Sequence, residues 1–147
     1  MRTRHVLVGV TSLLALAGSM TPALAKPKPI VKSYQASAPT PDPTPVTGET
    51  GGNCHPTLPS AMDNHTVKIP YPGTLAIDLN GFHGDWALGL FDANGDEIAT
   101  DDQDVTESPE TPAHIDAKFK KPTTVTIRAC NFSGGPTANV TYKITAK

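Results

Sequence analysis

The run Gly84-Asp85-Trp86-Ala87-Leu88-Gly89-Leu90-Phe91-Asp92-Ala93-Asn94-Gly95-Asp96-Glu97-Ile98-Ala99 decides the fold class. Trp86, Leu88 and Leu90 recur at every second position, the period of a strand with one buried face. Asp92 to Glu97 interrupts that period, and Asn94-Gly95 supplies the positive φ values a tight hairpin demands, so a second short strand is expected around Ile98. Trp86, the single tryptophan of the chain, is the expected centre of the core.

The same alternation extends to both sides of this run. Upstream it appears as Val67 and Ile69, then Leu75, Ile77 and Leu79; downstream as Ile115, Ala117 and Phe119, then Val125, Ile127 and Ala129, and finally Val140, Tyr142, Ile144 and Ala146. Clusters of Gly, Pro, Asn and Asp separate the segments. No stretch after Cys54 sustains a 3.6-residue period, and β-branched residues dominate the last two segments. Seven or eight short strands that each bury one face are accommodated by two packed layers, so the class is all-β, an antiparallel β-sandwich or jelly roll. The domain is expected over residues 54–147.

With its continuation, the opening run resembles the central signature of bacterial pre-peptidase C-terminal domains, jelly-roll modules found at the ends of secreted proteases and other exported enzymes. Thr124 to Ala129 is similar to the family's penultimate strand, Ser133-Gly134-Gly135-Pro136 to the following loop, and Tyr142-Lys143-Ile144-Thr145-Ala146 to the closing strand. The resemblance spans residues 64–147. It departs from the family at Ala87, where a second Asp is common, and at Val125, where an aromatic is common. It implies an extracellular accessory role, and some relatives, such as the collagen-binding modules of collagenases, attach to an extracellular polymer and bind calcium.

The amino-terminal part reads differently. Arg2 and Arg4, the apolar run Val6 to Ala17 and the small-residue site Ala23-Leu24-Ala25 have the order of a secretion signal, with cleavage expected after Ala25. A membrane anchor needs about 20 apolar residues, whereas this run breaks at Gly18 and Ser19, so no membrane insertion is expected once the signal is cleaved. Residues 26–53 carry Pro27, Pro29, Pro39, Pro41, Pro43 and Pro45 among Lys, Ser, Thr and Ala, and are expected to be a disordered, extended linker. Cleavage removes two basic residues and no acidic one, leaving ten against fourteen and a net charge of −4. Nucleic acid is an unsuitable partner for such a chain, whose nearest basic group is Lys118, Lys120 and Lys121.

Cys54 and Cys130 are the only cysteines, and an even count in an exported chain favours a disulfide between them. The competing reading, a reactive or metal-bound thiol beside His55, lacks the several Cys or His at short spacing that metal sites show.

Acidic residues concentrate in Asp92, Asp96, Glu97, Asp101, Asp102, Asp104, Glu107 and Glu110, with no Lys or Arg between them. Two readings stand side by side: a calcium site built from Asp101, Asp102 and Asp104 with Asp92 or Asp96, or a solvated hairpin followed by an acidic loop. No other cofactor is expected. His55, His65, His83 and His114 fall in no local catalytic pattern, with neither His-Glu-x-x-His nor Gly-x-Ser-x-Gly present, so no enzyme is expected. Tyr71, Phe82, Phe91 and Phe132 fall in loops or opposite the inward alternation, which makes them candidates for a ligand-binding face or for edge packing. Asn64-His65-Thr66, Asn131-Phe132-Ser133 and Asn139-Val140-Thr141 fit the glycosylation triplet. The expected function is that of a secreted, non-catalytic module binding an extracellular polymer or partner protein. A secreted peptidase inhibitor or peptidase-accessory protein is the alternative.

Overall fold

A computed structural model describes residues 25–42, 54–102 and 112–147. Among them eight strands follow one another: β1 (Ile30–Ser37), β2 (Met62–Ile69), β3 (Gly73–Asn80), β4 (Gly84–Phe91), β5 (Glu97–Asp102), β6 (Ala113–Phe119), β7 (Thr123–Gly134) and β8 (Thr137–Ala146). The only helical element among the described residues is a 3-10 turn at Pro59–Ala61. The first sheet has the order β1-β8-β3-β6 and the second β2-β7-β4-β5. First pairs with eighth, second with seventh, third with sixth and fourth with fifth, all antiparallel. That is the pairing of one long ribbon rolled onto itself, and the fold is an eight-stranded jelly roll.

The inward residues are those marked by period two. Leu75, Ile77 and Leu79 of β3, Ile115 and Ala117 of β6, and Val140, Tyr142 and Ile144 of β8 line the first sheet. Val67 and Ile69, Trp86, Leu88 and Leu90, and Val125, Ile127 and Ala129 oppose them from the second. Trp86 is fully buried, as expected, with Phe82 from the β3–β4 connection packed beside it at a ring-centroid distance of 6.4 Å. The expected hairpin joins β4 to β5. Gly95 takes φ +88°, and the Asp92 carboxylate accepts the backbone N–H groups of Asn94 and Asp96 at 2.7 and 3.0 Å.

Two open flanks remain where the edge strands of the two sheets face each other, and an aspartate laces each. At the β1/β2 flank, Asp63 Oδ2 accepts the N–H of Ser37 at 3.0 Å, and the rings of Tyr34 and His65 stack at 4.0 Å. At the β5/β6 flank, Asp101 Oδ2 accepts the N–H of His114 at 2.6 Å. Each carboxylate satisfies an edge donor that would otherwise invite another strand, and joins the layers without a covalent link.

Residues 30–37 correct the expected boundary. Where the sequence reading places a disordered linker over 26–53, Ile30–Ser37 forms β1, paired along its whole length with β8. The prolines that suggest a tether leave Ile30 to Ala38 free of proline, and in that window Tyr34, Ala36 and Ala38 turn to the core. Further contacts anchor the segment. The Asn131 side-chain amide donates to the Ala38 carbonyl at 2.8 Å. Buried Asp42 accepts Thr57 N–H, Thr57 Oγ1–H and Leu58 N–H at 2.6, 2.7 and 3.1 Å. The rest of the expected linker, residues 43–53, and residues 1–24 of the expected signal lie outside the described residues.

Candidate functional site

On the outer side of the second sheet Ala87, Phe91 and Cys130 are covered, whereas Asn64, Thr66 and Lys68 of β2 and Thr124 of β7 stay exposed. Cys54 joins Cys130 of β7 in a disulfide with a Cα–Cα distance of 5.5 Å, so the segment around Cys54 lies as a strap over β4 and β7. Beneath it are Ala87, Met62 and Phe132. The strap is also held by Arg128, whose Nη1 donates to the Cys54 carbonyl at 3.2 Å and whose Nε donates to Asn64 Oδ1 at 2.8 Å. The same guanidinium lies 4.0 Å from the centre of the Phe91 ring, a cation–π arrangement, and burial draws its pKa down. His55 meets Phe91 edge-on and pairs with Glu97 at 3.1 Å. Gly89 permits the close approach, because a Cβ there would lie 2.6 Å from Phe91 Cε2 and 2.9 Å from Cys54 Cβ.

The outward residues of the first sheet are open and polar. Register places Ser33 beside Thr141, Thr141 beside Asp78, and Asp78 beside His114, one row crossing all four strands. At roughly 4.8 Å between neighbouring strands, the row is about 14 Å long. Ser33 and Thr141 share a hydrogen bond of 2.9 Å. His114 Nδ1 lies 2.7 Å from Asp78 Oδ1, and its Nε2 lies 3.4 Å from Asp116 Oδ2. These carboxylates raise the His114 pKa, the Asp78 hydrogen bond first. Gln35, Asn139 and Asn80 form a parallel polar row, while Val31, Lys143, Ala76 and Asp116 form a mixed one with Val31 exposed.

The residues singled out in sequence fare unevenly. Cys54 and Cys130 pair as expected, which removes the free-thiol reading. Phe82 and Phe91 are 2% and 1% exposed, so neither offers a ring to a ligand. Phe82 fills the core, and Phe91 is packed under the strap rather than standing out from the sheet. Tyr71 is half-buried and donates to the Lys28 carbonyl at 3.3 Å; Phe132 is half-buried against the disulfide. Among the calcium candidates, the Asp92 carboxylate caps its own turn, and those backbone hydrogen bonds hold its pKa below the ordinary value. Asp101 is engaged with the His114 N–H across the flank, and Asp96 lies in the β4–β5 turn. The Asp102 side chain and all of Asp104 lie outside the described residues. Asn131 of the second glycosylation triplet is buried.

Asp78 and Asp116 were missed in the sequence. His114 and Asp116, two apart on a strand, necessarily share a face, and that signal was legible. Asp78, 36 residues away, joins them only through the β3/β6 register.

No family model matches this chain, and no curated protein matches it. Among solved structures, the Yersinia pseudotuberculosis-derived mitogen aligns with a TM-score of 0.33 at 17% identity, over 58% of this chain and 86% of the mitogen. Among the described residues no helix is long and apolar enough to cross a membrane.

Proposed function

We propose that this protein is an exported, non-catalytic β-sandwich module that holds an extracellular polymer on the outer face of its first sheet. The observation that carries the reading is the row Ser33, Thr141, Asp78 and His114, whose hydroxyl, carboxylate and imidazole groups are spaced at strand intervals. Donors and acceptors at regular spacing suit a chain of repeating polar units, such as a polysaccharide, laid across the strands. The pairing within the row favours binding over catalysis. Its hydroxyls bond to each other, while both His114 nitrogens face carboxylates, so the imidazole is engaged away from the hydroxyls.

The export part of the reading is supported by the signal-like order of residues 1–25 and by a disulfide, which persists in oxidising compartments. The resemblance to pre-peptidase C-terminal domains points the same way, to an accessory surface rather than an active site.

The test is retention of the signal-free chain on cell-wall, polysaccharide and collagen-type matrices, compared with the double variant Ser33→Ala and Thr141→Ala. Retention of the wild type on a polysaccharide, weakened at least tenfold in the variant, is the expected result. Passage of the wild type through every matrix would sink the reading.

A further inference from the structure

We propose that the end of the sandwich formed by the β2–β3 and β6–β7 connections is a docking surface for an acidic polysaccharide, held by the ammonium groups of Lys28, Lys68, Lys118, Lys120, Lys121 and Lys147. The inference needs nothing from the outer face of the first sheet, where Asp78 and Asp116 repel an anionic chain.

Strand direction gathers these residues. Gly73 of β3 pairs with Ala146 of β8 and Phe119 of β6, Ile30 of β1 pairs with Ile144, and Ile69 of β2 pairs with Thr123 of β7. Residues 26–28, 68–74, 118–124 and 145–147 therefore meet at one end. They carry seven lysines, Lys26 included, and no aspartate or glutamate. Only ten basic residues follow Ala25, so most of the positive charge of a net-acidic chain is collected here. The acidic β4–β5 turn, with Asp92 and Asp96, borders this surface beyond β7.

The surface is also pre-formed. The connections 70–72 and 120–122 are three residues long and are stiffened by Pro70, Pro72 and Pro122. Tyr71 donates its hydroxyl to the Lys28 carbonyl at 3.3 Å, and the Lys147 N–H donates to the Pro72 carbonyl at 3.1 Å, which ties both segments to the β2–β3 connection. All seven lysines are exposed, and none pairs with a carboxylate among the described residues. β8 and β6 flank β3, so Lys147 and Lys118 rise from strands roughly 10 Å apart. That matches the Debye length of about 10 Å at 0.1 M salt, so an anion lying between them feels both charges.

Composition selects the partner. Lysine is a point charge on a flexible stem, and no arginine stands in these segments to grip one anionic group at two points, so the surface reads charge density rather than the shape of a single group. A flexible polyanion meets that requirement, whereas a folded acidic partner needs an apolar centre to its interface. Tyr71 and Phe119 are half-buried and leave no open ring for bases to stack on, which disfavours single-stranded nucleic acid. The exposed large apolar residues Val31, Leu58 and Ile98 sit on separate elements and form no wedge for a lipid surface.

Binding of the signal-free chain to polygalacturonate tests this. The wild type should bind in about 50 mM salt and lose at least tenfold in affinity by about 200 mM. The triple variant Lys118→Gln, Lys120→Gln and Lys121→Gln should bind at least tenfold more weakly with an unchanged melting temperature. Lys32→Gln, which removes the same charge from β1 outside this end, should change binding less than twofold, and Ser33→Ala with Thr141→Ala should leave it intact. Absence of binding at the lower salt, or an affinity indifferent to salt, would overturn the assignment on the wild type alone, whatever the variants do. Tighter binding to phosphatidylglycerol vesicles or to single-stranded DNA would overturn the choice of partner. Binding lost in the Ser33 and Thr141 variant but kept in the lysine variant would move the polymer to the other face.

Discussion

On the outer face of the first sheet Ser33, Thr141, Asp78 and His114 meet solvent, whereas on the second sheet Ala87 and Phe91 are buried under a disulfide-held strap. Both sheets present the same alternation to the interior. The difference shows that a strand's inward face decides whether the sandwich closes, while its outward face decides what the molecule can offer to another. The β4 side of one outer face has become a second, small core around the disulfide; the other face remains open and mostly polar. The covered face adds to stability, the polar face is the one on which the proposed binding rests, and this division can be attacked from either side.

The largest effect should come from removing the strap's covalent anchor. Cys54 and Cys130 are 76 residues apart, and a loop of that length is worth about 4.5 kcal/mol in the chain-entropy model, with measured losses for native disulfides of about 2–5 kcal/mol. The double variant Cys54→Ala and Cys130→Ala should therefore lose several kcal/mol in urea unfolding, a large share of a small domain's stability. A loss under about 1 kcal/mol would mean that the strap is ornamental and that the two faces are equivalent.

Phe91→Ala should rank next. Its ring is buried between Arg128, His55 and the strap, so truncation should cost about 3–5 kcal/mol, as for other buried aromatics, although the residue points away from the main core. Unfolding midpoints in denaturant would measure it. A cost typical of a surface residue would place Phe91 back among the candidate ligand contacts and erase the contrast between the faces.

Replacing Ser33 and Thr141 by Ala tests the platform. Half-exposed or exposed side chains joined by one hydrogen bond should change stability by no more than about 1 kcal/mol. Retention on a polymer matrix should fall while the melting temperature hardly moves. A large drop in stability with retention intact would reverse the roles assigned to the two sides.

The smallest effect concerns acid and the turn at the rim of the covered sheet. The Asp92 carboxyl is held below its ordinary value of 3.8 by the N–H groups of Asn94 and Asp96. A depressed folded value stabilises the protein above pH 3.8, and that contribution is lost as pH falls through the folded value. Carboxyl-carbon NMR should show Asp92 titrating below exposed aspartates, and Asp92→Ala should remove this acid dependence. Titration at or above the ordinary value would show that the turn hydrogen bonds do not persist in solution.

The covered face leaves a trace in the sequence. From Trp86 to Phe91 the chain is apolar at odd as well as even positions, apart from Gly89, which is how a strand buried on both sides reads. Phe91 therefore signalled a cover over the second sheet more than an exposed ring. β1 was hidden for a different reason. Averaged over 26–53, proline dominates, but the nine proline-free residues from Ile30 to Ala38 are enough for one edge strand. The polar row was visible only in fragments, as single Ser, Thr, Asp and His residues on the solvent side of four separate segments.

Taken alone, the sequence determined which side of β2, β3, β4, β6, β7 and β8 faces inward, the hairpin at Asn94-Gly95, and the one pairing open to two cysteines. These follow from local periodicity, turn chemistry and arithmetic. Tertiary structure alone decided that Ser33 meets Thr141 across 108 residues, that His114 stands between Asp78 and Asp116, and that a strap rather than solvent covers Phe91. Period two assigns a residue to a face of its own strand but carries no information about which strand lies alongside or what lies above. Strand order and register supply both, and they are settled only when the whole ribbon closes around its core.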